Sequence, residues 1–244
     1  MTRKLLLFIA LCGAGPALAG GTLKKAPTEL DLAKAYVVVE VGHMDGAMLP
    51  GTLTLARYDP SKNDIAAPTP PPGGKIPKGE WEVDNRVFLI KAALKDKRRR
   101  LFYVEMQPGL WVIEGANGTA FALGSNTFEL PPGSVTDLGV ADIYTDFPAG
   151  EKREVMNNGL LLKYALTGGL FTSLKPTVPS AVNFRPRVGT DLMLPPIFAN
   201  ARLVTWIGQV EFGNYLGGMI NRLGGIKSRP GRNEGAATAQ PSPD

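Results

Sequence analysis

Leu101-Phe102-Tyr103-Val104-Glu105-Met106-Gln107-Pro108-Gly109-Leu110-Trp111-Val112-Ile113-Glu114 is the stretch that decides the fold. Two runs rich in aromatic and β-branched side chains suit a pleated, half-buried surface. A proline–glycine pair separates them. Pro presets φ and Gly accepts positive φ, so residues 108–109 turn the chain and the second run returns as a strand. Asn117-Gly118 follows, the dipeptide that most strongly marks a two-residue hairpin, and residues 119–123 read as the next arm. Residues 127–130, a turn at Pro131-Pro132-Gly133 and a strand over residues 135–144 extend the series.

Upstream, Tyr36-Val37-Val38-Val39-Glu40-Val41 is a β-branched run ending at Gly42 and reads as the first core strand. Residues 52–58 alternate, with Leu53 and Leu55 on one face and Thr52 and Thr54 on the other, which predicts a half-buried strand. Residues 66–77 carry Pro68, Pro70, Pro71, Pro72 and Pro77, and proline removes ladder donors, so this is a Pro-rich loop. Residues 86–94 read as one apolar strand leading into Lys95-Asp96-Lys97-Arg98-Arg99-Arg100, a hairpin with a basic tip. Short strands with turn signals at this spacing predict a mainly β protein built as an antiparallel β-sandwich over residues 20–148. The chain's 29 glycines and 21 prolines support a fold of many turns and short elements.

After Pro148 the texture changes. Residues 149–226 read as an irregular, partly helical C-terminal extension packing on or beside the sandwich. Ile207, Val210, Tyr215 and Met219 can share a helical face, although Gly208, Gly213, Gly217 and Gly218 weaken a helix there by roughly 1 kcal/mol each. Residues 227–244 are Gly, Ala, Ser, Pro and charge, with nothing to bury, and read as a disordered tail.

The N-terminus carries an address. Thr2-Arg3-Lys4 supplies positive charge, residues 5–12 are an uninterrupted apolar run, and Ala17-Leu18-Ala19 matches the small-x-small pattern of a signal-peptidase cut. Residues 1–19 therefore read as a signal peptide, and the protein as periplasmic or extracellular. The run is too short to cross a bilayer, where about 20 apolar residues are needed. Acylation at Cys12 is the weaker reading, because Leu11 precedes it where such sites carry Gly, Ala or Ser. Cys12 is the only cysteine, so after cleavage neither thiol nucleophiles nor zinc–cysteine nor iron–sulfur chemistry is open to the protein. Loss of Arg3 and Lys4 lowers the formal charge from +5 to +3, a mild excess that does not point to nucleic acid.

The residues from Phe102 to Asp142, with the Pro108-Gly109 unit and the Phe128-Glu129-Leu130-Pro131-Pro132-Gly133 unit running to Leu138-Gly139, resemble small exported β-sandwich proteins of proteobacteria, largely uncharacterised and some of them lipoproteins. Ala201-Arg202-Leu203-Val204 and the stretch from Phe212 to Leu223 are similar to the tails of some of them. The resemblance implies an immunoglobulin-like or transthyretin-like sandwich and no known activity. The Pro-rich loop departs from the compact hairpin that layout implies.

Candidate chemistry is sparse. His43, with Met44, Asp45 and Met48, offers an imidazole and two thioethers suited to Cu(I), but in a glycine-bounded turn. As a triad base His43 lacks a serine in a G-x-S-x-G elbow. Asp137 and Asp142 lie an odd number of residues apart on one predicted strand and so face opposite sides, which counts against an acid pair. Asp142 and Asp146 can share a side, but the chain leaves the strand at Pro148. Trp81 and Trp111 are candidates for a sugar-stacking platform, against a core role for Trp111. The sharpest electrostatic feature is the basic tip, where Lys95, Lys97, Arg98, Arg99 and Arg100 are candidates for contact with an anionic envelope surface. The simpler reading is a solvated loop that discourages edge-to-edge pairing. Together these residues predict a non-enzymatic, envelope-associated binding or structural module without a cofactor or metal. Its partners would be the anionic envelope surface or another envelope protein. The alternatives are an acid-dependent hydrolase of envelope polymer and a subunit of an exported assembly, the latter suggested by the apolar, glycine-rich residues 203–223.

Overall fold

The computed structural model describes residues 20–42, 51–68, 85–96, 99–145, 179–189, 191–215, 219–222 and 225–228. In chain order the strands are β1 (Gly20–Leu23), β2 (Ala35–Gly42), β3 (Leu53–Asp59), β4 (Asp64–Ile65), β5 (Arg86–Phe88), β6 (Leu94–Lys95), β7 (Arg99–Met106) and β8 (Gly109–Ala116). They continue as β9 (Thr119–Ala120), β10 (Ser125–Leu130), β11 (Val135–Thr145), β12 (Ser180–Arg185), β13 (Arg202–Leu203), β14 (Trp206–Val210), β15 (Met219–Ile220) and β16 (Ile226–Ser228). The only helical element among the described residues is a 3-10 turn, Pro196–Phe198.

The strands form two sheets that do not close into a barrel. The first runs β1-β7-β2-β11-β12-β16, with β6 on β7 and β13 on β11. The second runs β14-β10-β8-β3-β4, with β5 on β3 and β9 pairing both β8 and β15. Both sheets are mixed. In the first, β2 lies antiparallel to β7 along eight residue pairs and parallel to β11 on its other side.

One apolar core lies between the sheets. Val37, Val39, Val41, Phe102, Val104, Ala141, Val182 and Phe184 of the first sheet meet Leu53, Leu55, Trp111, Ile113, Phe128 and Leu130 of the second. β2 is buried over its whole length because its other face is covered too. There Tyr36 and Val38, with Leu101 and Tyr103 of β7, pack under Leu192, Leu194, Ile197 and Phe198 and against Leu23 and Leu30. The continuous apolar run at residues 36–41 therefore reflects burial on both faces rather than alternation.

Several turns are as the sequence predicts. Asn117 and Gly118 both take left-handed φ (49° and 73°) and join β8 to β9, and the Asn117 Oδ1 accepts hydrogen bonds from the Thr52 backbone N–H (2.8 Å) and hydroxyl (3.3 Å). Pro108-Gly109 has a larger role than a hairpin. β7 belongs to the first sheet and β8 to the second, so the pair carries the chain around a corner between them, with Gly109 at φ 132°.

Two expectations need correction. Residues 86–94 are not one strand. β5 ends at Phe88 in the second sheet and β6 begins at Leu94 in the first, and residues 89–93 cross between them. The described part of residues 149–226 has no α-helix. Trp206–Val210, which includes two members of the expected helical face, is a strand, because β10 offers an edge that takes these residues as an antiparallel neighbour and Gly208 removes helical preference. Strands from this stretch hydrogen-bond into both sheets: β12, β13 and β16 into the first, β14 and β15 into the second. Residues 1–19, residues 69–77 of the Pro-rich loop and residues 229–244 of the expected tail lie outside the described residues. Lys227 and Ser228 of that tail end β16.

Candidate functional site

Glu40 is the lone charge in the apolar run of β2, and its side chain has no solvent exposure. A carboxylate buried this way is stable only if paired and hydrogen-bonded. It sits on the outer face of the first sheet and accepts hydrogen bonds from Arg99 Nη1 (3.0 Å), Arg187 Nη1 (2.7 Å) and the Leu192 backbone N–H (3.0 Å). Arg187 also forks onto Asp137, with Nε and Nη2 both 3.2 Å from its oxygens. Arg185 forks onto Asp191 at 2.8 Å through both terminal nitrogens and reaches Asp142 through Nε at 3.3 Å. Arg99 pairs with Asp191 as well, and the Val188 N–H donates to Asp191 at 2.7 Å. Three guanidiniums and four carboxylates thus form one cluster across β2, β7, β11, β12 and the segment after β12.

The cluster depends on one bulge. Between β11 and β2 the register runs Asp137↔Val38, then Val140↔Glu40, so β11 holds one residue more than its partner. The extra residue is Gly139, at φ 77°, and its N–H donates to Asp137 Oδ1 at 2.8 Å. The bulge resets the alternation. Leu138, Ala141 and Ile143 all point into the core, while Val135, Asp137 and Asp142 lie on the outer face. Asp137 and Asp142 therefore share a face, contrary to the parity argument, and each is held by an arginine.

The electrostatics follow from the pairing. The Asp191 carboxyl is held well below the usual carboxylate range, chiefly by its hydrogen bonds from Arg185 and then by the Val188 N–H and Arg99, which together outweigh burial. Hydrogen bonds to Asp191 raise the Arg185 guanidinium in turn. Burial opposes charge on Arg99, but Glu40 and Asp191 override it and raise that group too. A carboxylate pinned in its ionised form is the opposite of a general acid, which needs a raised pKa. The cluster ties Arg187, Val188, Asp191 and Leu192 to one another and to the outer face of the first sheet.

The second sheet has a smaller counterpart. Arg86 and Glu114, both buried, pair through Arg86 Nε at 3.0 and 3.1 Å, and Arg86 Nη2 donates to the Asn214 carbonyl at 2.6 Å. Asp64 Oδ1 accepts from the backbone N–H groups of Gly213 (3.0 Å) and Asn214 (2.9 Å). These contacts seat Phe212 against Ala56, Tyr58 and Val112.

The basic tip is a hairpin. β6 pairs antiparallel with β7, Leu94 opposite Leu101 and Lys95 opposite Arg100, and backbone bonds between Asp96 and Arg99 close the turn. Lys95 is exposed and Arg100 half-buried, whereas Arg99 points to the outer face and is engaged by Glu40 and Asp191. Lys97 and Arg98 lie outside the described residues, as do His43, Met44, Asp45, Met48, Trp81 and Asp146. Trp111 cannot serve a sugar platform: it is fully buried, and its indole N–H donates to the Gln107 carbonyl at 3.0 Å. Among the described residues no group of three His, Cys, Asp or Glu side chains is placed to hold a metal ion. No described helix is long and apolar enough to cross a membrane.

The sequence reading missed Glu40, Arg185, Arg187 and Asp191. Glu40 had a signal, a single carboxylate inside a run buried on both faces. The arginines had none, because their partner strands are brought together only by the topology. No family model, curated protein or solved structure matches this chain.

Proposed function

We propose that this chain is an exported, non-enzymatic module of the cell envelope that binds or holds a partner there. The reading rests on the address at the N-terminus. A cut after Ala19 leaves Gly20 as the new first residue, and Gly20 opens β1, paired with Met106 of β7. Every described strand would survive that cut whole. The two facing sheets are read as a β-sandwich of immunoglobulin-like or transthyretin-like kind, in line with the resemblance to small exported proteins of proteobacteria. The use of four carboxylates to fasten a surface segment supports a structural rather than a hydrolytic role for these acids.

Expression of the full chain in a Gram-negative host, followed by fractionation and N-terminal sequencing, tests the proposal. The expected product is periplasmic or secreted and begins at Gly20. A cytosolic product that retains Met1 and its leader overturns it.

Membership of an exported assembly is the second reading, and it draws on Leu203 of β13 and Ile207 of β14, which stand 44% and 57% exposed. In the same stretch Val204, Trp206 and Phe212 are packed onto the sheets. Light scattering of the purified protein against an Ile207→Ser variant tests it: a larger species in the wild type alone supports assembly, and two monomers remove it.

A further inference from the structure

Asn117 is followed by Gly118, and a side-chain amide is open to attack by the next backbone nitrogen where glycine supplies it, because no Cβ hinders the approach. The Gly118 nitrogen gives up its proton and bonds to the Asn117 Cγ. The Cγ–Nδ2 bond breaks, and ammonia leaves with that proton. The five-membered imide that remains takes up water at one of its two carbonyl carbons. Addition at Cγ gives aspartate. Addition at the backbone carbonyl gives isoaspartate, with the chain rerouted through Cβ and Cγ. Nothing is oxidised or reduced, and water is the only co-reactant.

Solvent reaches this turn. Gly118 is exposed and Asn117 half-buried, and a Cβ built on Gly118 would meet nothing within 4 Å. Conformation rather than burial therefore governs the reaction. Ala116 pairs with Thr119, so residues 117 and 118 alone form the loop, and φ values of 49° and 73° make it a type I′ turn. In that turn the first central residue has ψ of about +30°. The Gly118 nitrogen then lies nearly opposite the Asn117 Cβ across the Cα–C bond, whereas ring closure needs the two on the same side. The side chain is held as well. Asn117 Oδ1 accepts from the Thr52 N–H at 2.8 Å and the Thr52 hydroxyl at 3.3 Å, and the Asn117 N–H donates to the Thr52 carbonyl at 3.1 Å. The Gly118 carbonyl accepts from the Met219 N–H at 3.2 Å. Turning the peptide between residues 117 and 118 into position for attack undoes this two-residue loop.

We propose that Asn117-Gly118 is a succinimide-forming modification site locked by its own hairpin, which reacts only from the opened turn and whose isoaspartyl product does not reclose. Isoaspartate adds a methylene to the backbone, and a loop of two residues has no slack to absorb it. The pairs Gly115↔Ala120 and Ala116↔Thr119 lose their register, and β15, which pairs with β9 through Met219 and Ile220, is displaced with them. Aspartate keeps the ordinary chain, tolerates left-handed φ and still offers an oxygen to Thr52. The chemistry is the same wherever the protein resides, so it stands apart from the envelope reading.

The full chain, kept in mildly alkaline buffer either folded or unfolded in guanidinium chloride, tests the proposal. Peptide mapping that separates asparaginyl, aspartyl and isoaspartyl forms follows residue 117 with time. Asn158-Gly159, the other Asn-Gly of the chain, gives the rate of the same dipeptide in the unfolded sample, where the two should react alike. In the folded sample residue 117 should react at least tenfold more slowly than in the unfolded one, which corresponds to an opening free energy of about 1.4 kcal/mol or more. After refolding, pulse proteolysis in graded urea followed by the same mapping reads the midpoint of each form in the mixture. The isoaspartyl form should have the lowest midpoint, with the aspartyl form nearer the asparaginyl one. Equal rates at residue 117 in the folded and unfolded chain overturn the lock. Absence of isoaspartate at residue 117 in the unfolded chain overturns the site. An isoaspartyl form with the asparaginyl midpoint overturns the failure to reclose. All three readouts use the unsubstituted chain, so none depends on a variant that has to fold.

Discussion

Glu40 takes three hydrogen bonds with no solvent exposure of its side chain, and two of them come from guanidiniums on different parts of the chain. Removing its charge would leave Arg99 and Arg187 short of a partner, and breaking a buried pair costs more than the pair contributes. Glu40→Gln should therefore destabilise the fold by about 3 kcal/mol, read as a lower urea midpoint with an unchanged slope. Asp191 adds a pH dependence. Its pKa falls on folding from the ordinary 3.8, first because of Arg185. A carboxyl depressed in the native state stabilises at every pH above its unfolded value, and that contribution is lost as pH falls through the native value. Asp191→Asn should then cost about 2 kcal/mol at neutral pH, less than Glu40 because Arg185 is partly exposed. The gap between wild type and variant should shrink below about pH 4. Urea midpoints measured from pH 7 to pH 3 check the sign, and a gap that stays constant into acid would show that Asp191 contributes through packing alone.

At the scale of elements, backbone conformation decides where charges and core residues land. A Cβ at Gly139 would overlap the Arg185 carbonyl oxygen, and the φ there is left-handed. Gly139→Ala should cost about 2 kcal/mol or more and should disturb the amide signals of Asp137, Asp142 and Arg185 together, since the bulge sets their common face. A wild-type spectrum for those three would separate the bulge from the cluster. Asn117→Ala should cost about 1 to 2 kcal/mol in the same unfolding assay, from a strained left-handed residue and two lost bonds to Thr52. The Asn117-Gly118 turn was legible because it is local: two adjacent residues carry the whole signal. The strands β2, β3, β7, β8 and β11 were legible for the same reason, each carrying its own side-chain pattern. The bulge was not, because Leu138-Gly139-Val140 reads as an uninterrupted strand until its neighbour's register is known. Nor was the break after β5, since residues 86–94 are apolar whether they lie in one sheet or cross between two. The arginine–carboxylate cluster was hidden on the same ground, as Glu40 and Arg187 are 147 residues apart and meet only through the order β7-β2-β11-β12.

The whole molecule depends on its last third more than the sequence suggests. β12 covers the edge of β11 along six residue pairs, and β14 covers β10. Trp206 joins the two sheets, its ring 5.6 Å from Phe128 of the second and 5.1 Å from Phe184 of the first. Phe198 closes the outer face, 5.1 Å from Tyr103 and 6.2 Å from Tyr36. Arg185, Arg187 and Asp191 come from the same stretch, so a chain without it would leave Glu40, Asp137 and Asp142 with Arg99 as the one arginine of the cluster still present. Such a chain would lose apolar cover on both sides of the first sheet and charge compensation within it, two defects that each remove several kcal/mol from a stability of about 5 to 15. A protein ending at residue 148, the boundary the composition suggests, should therefore not fold by itself. The expected signs are loss of the near-ultraviolet dichroism of its tryptophans, binding of a hydrophobic dye and no cooperative urea transition, where the full mature chain shows a single one. A cooperative transition at the full-length midpoint would show instead that the first 148 residues are a domain and that the later strands are added to it.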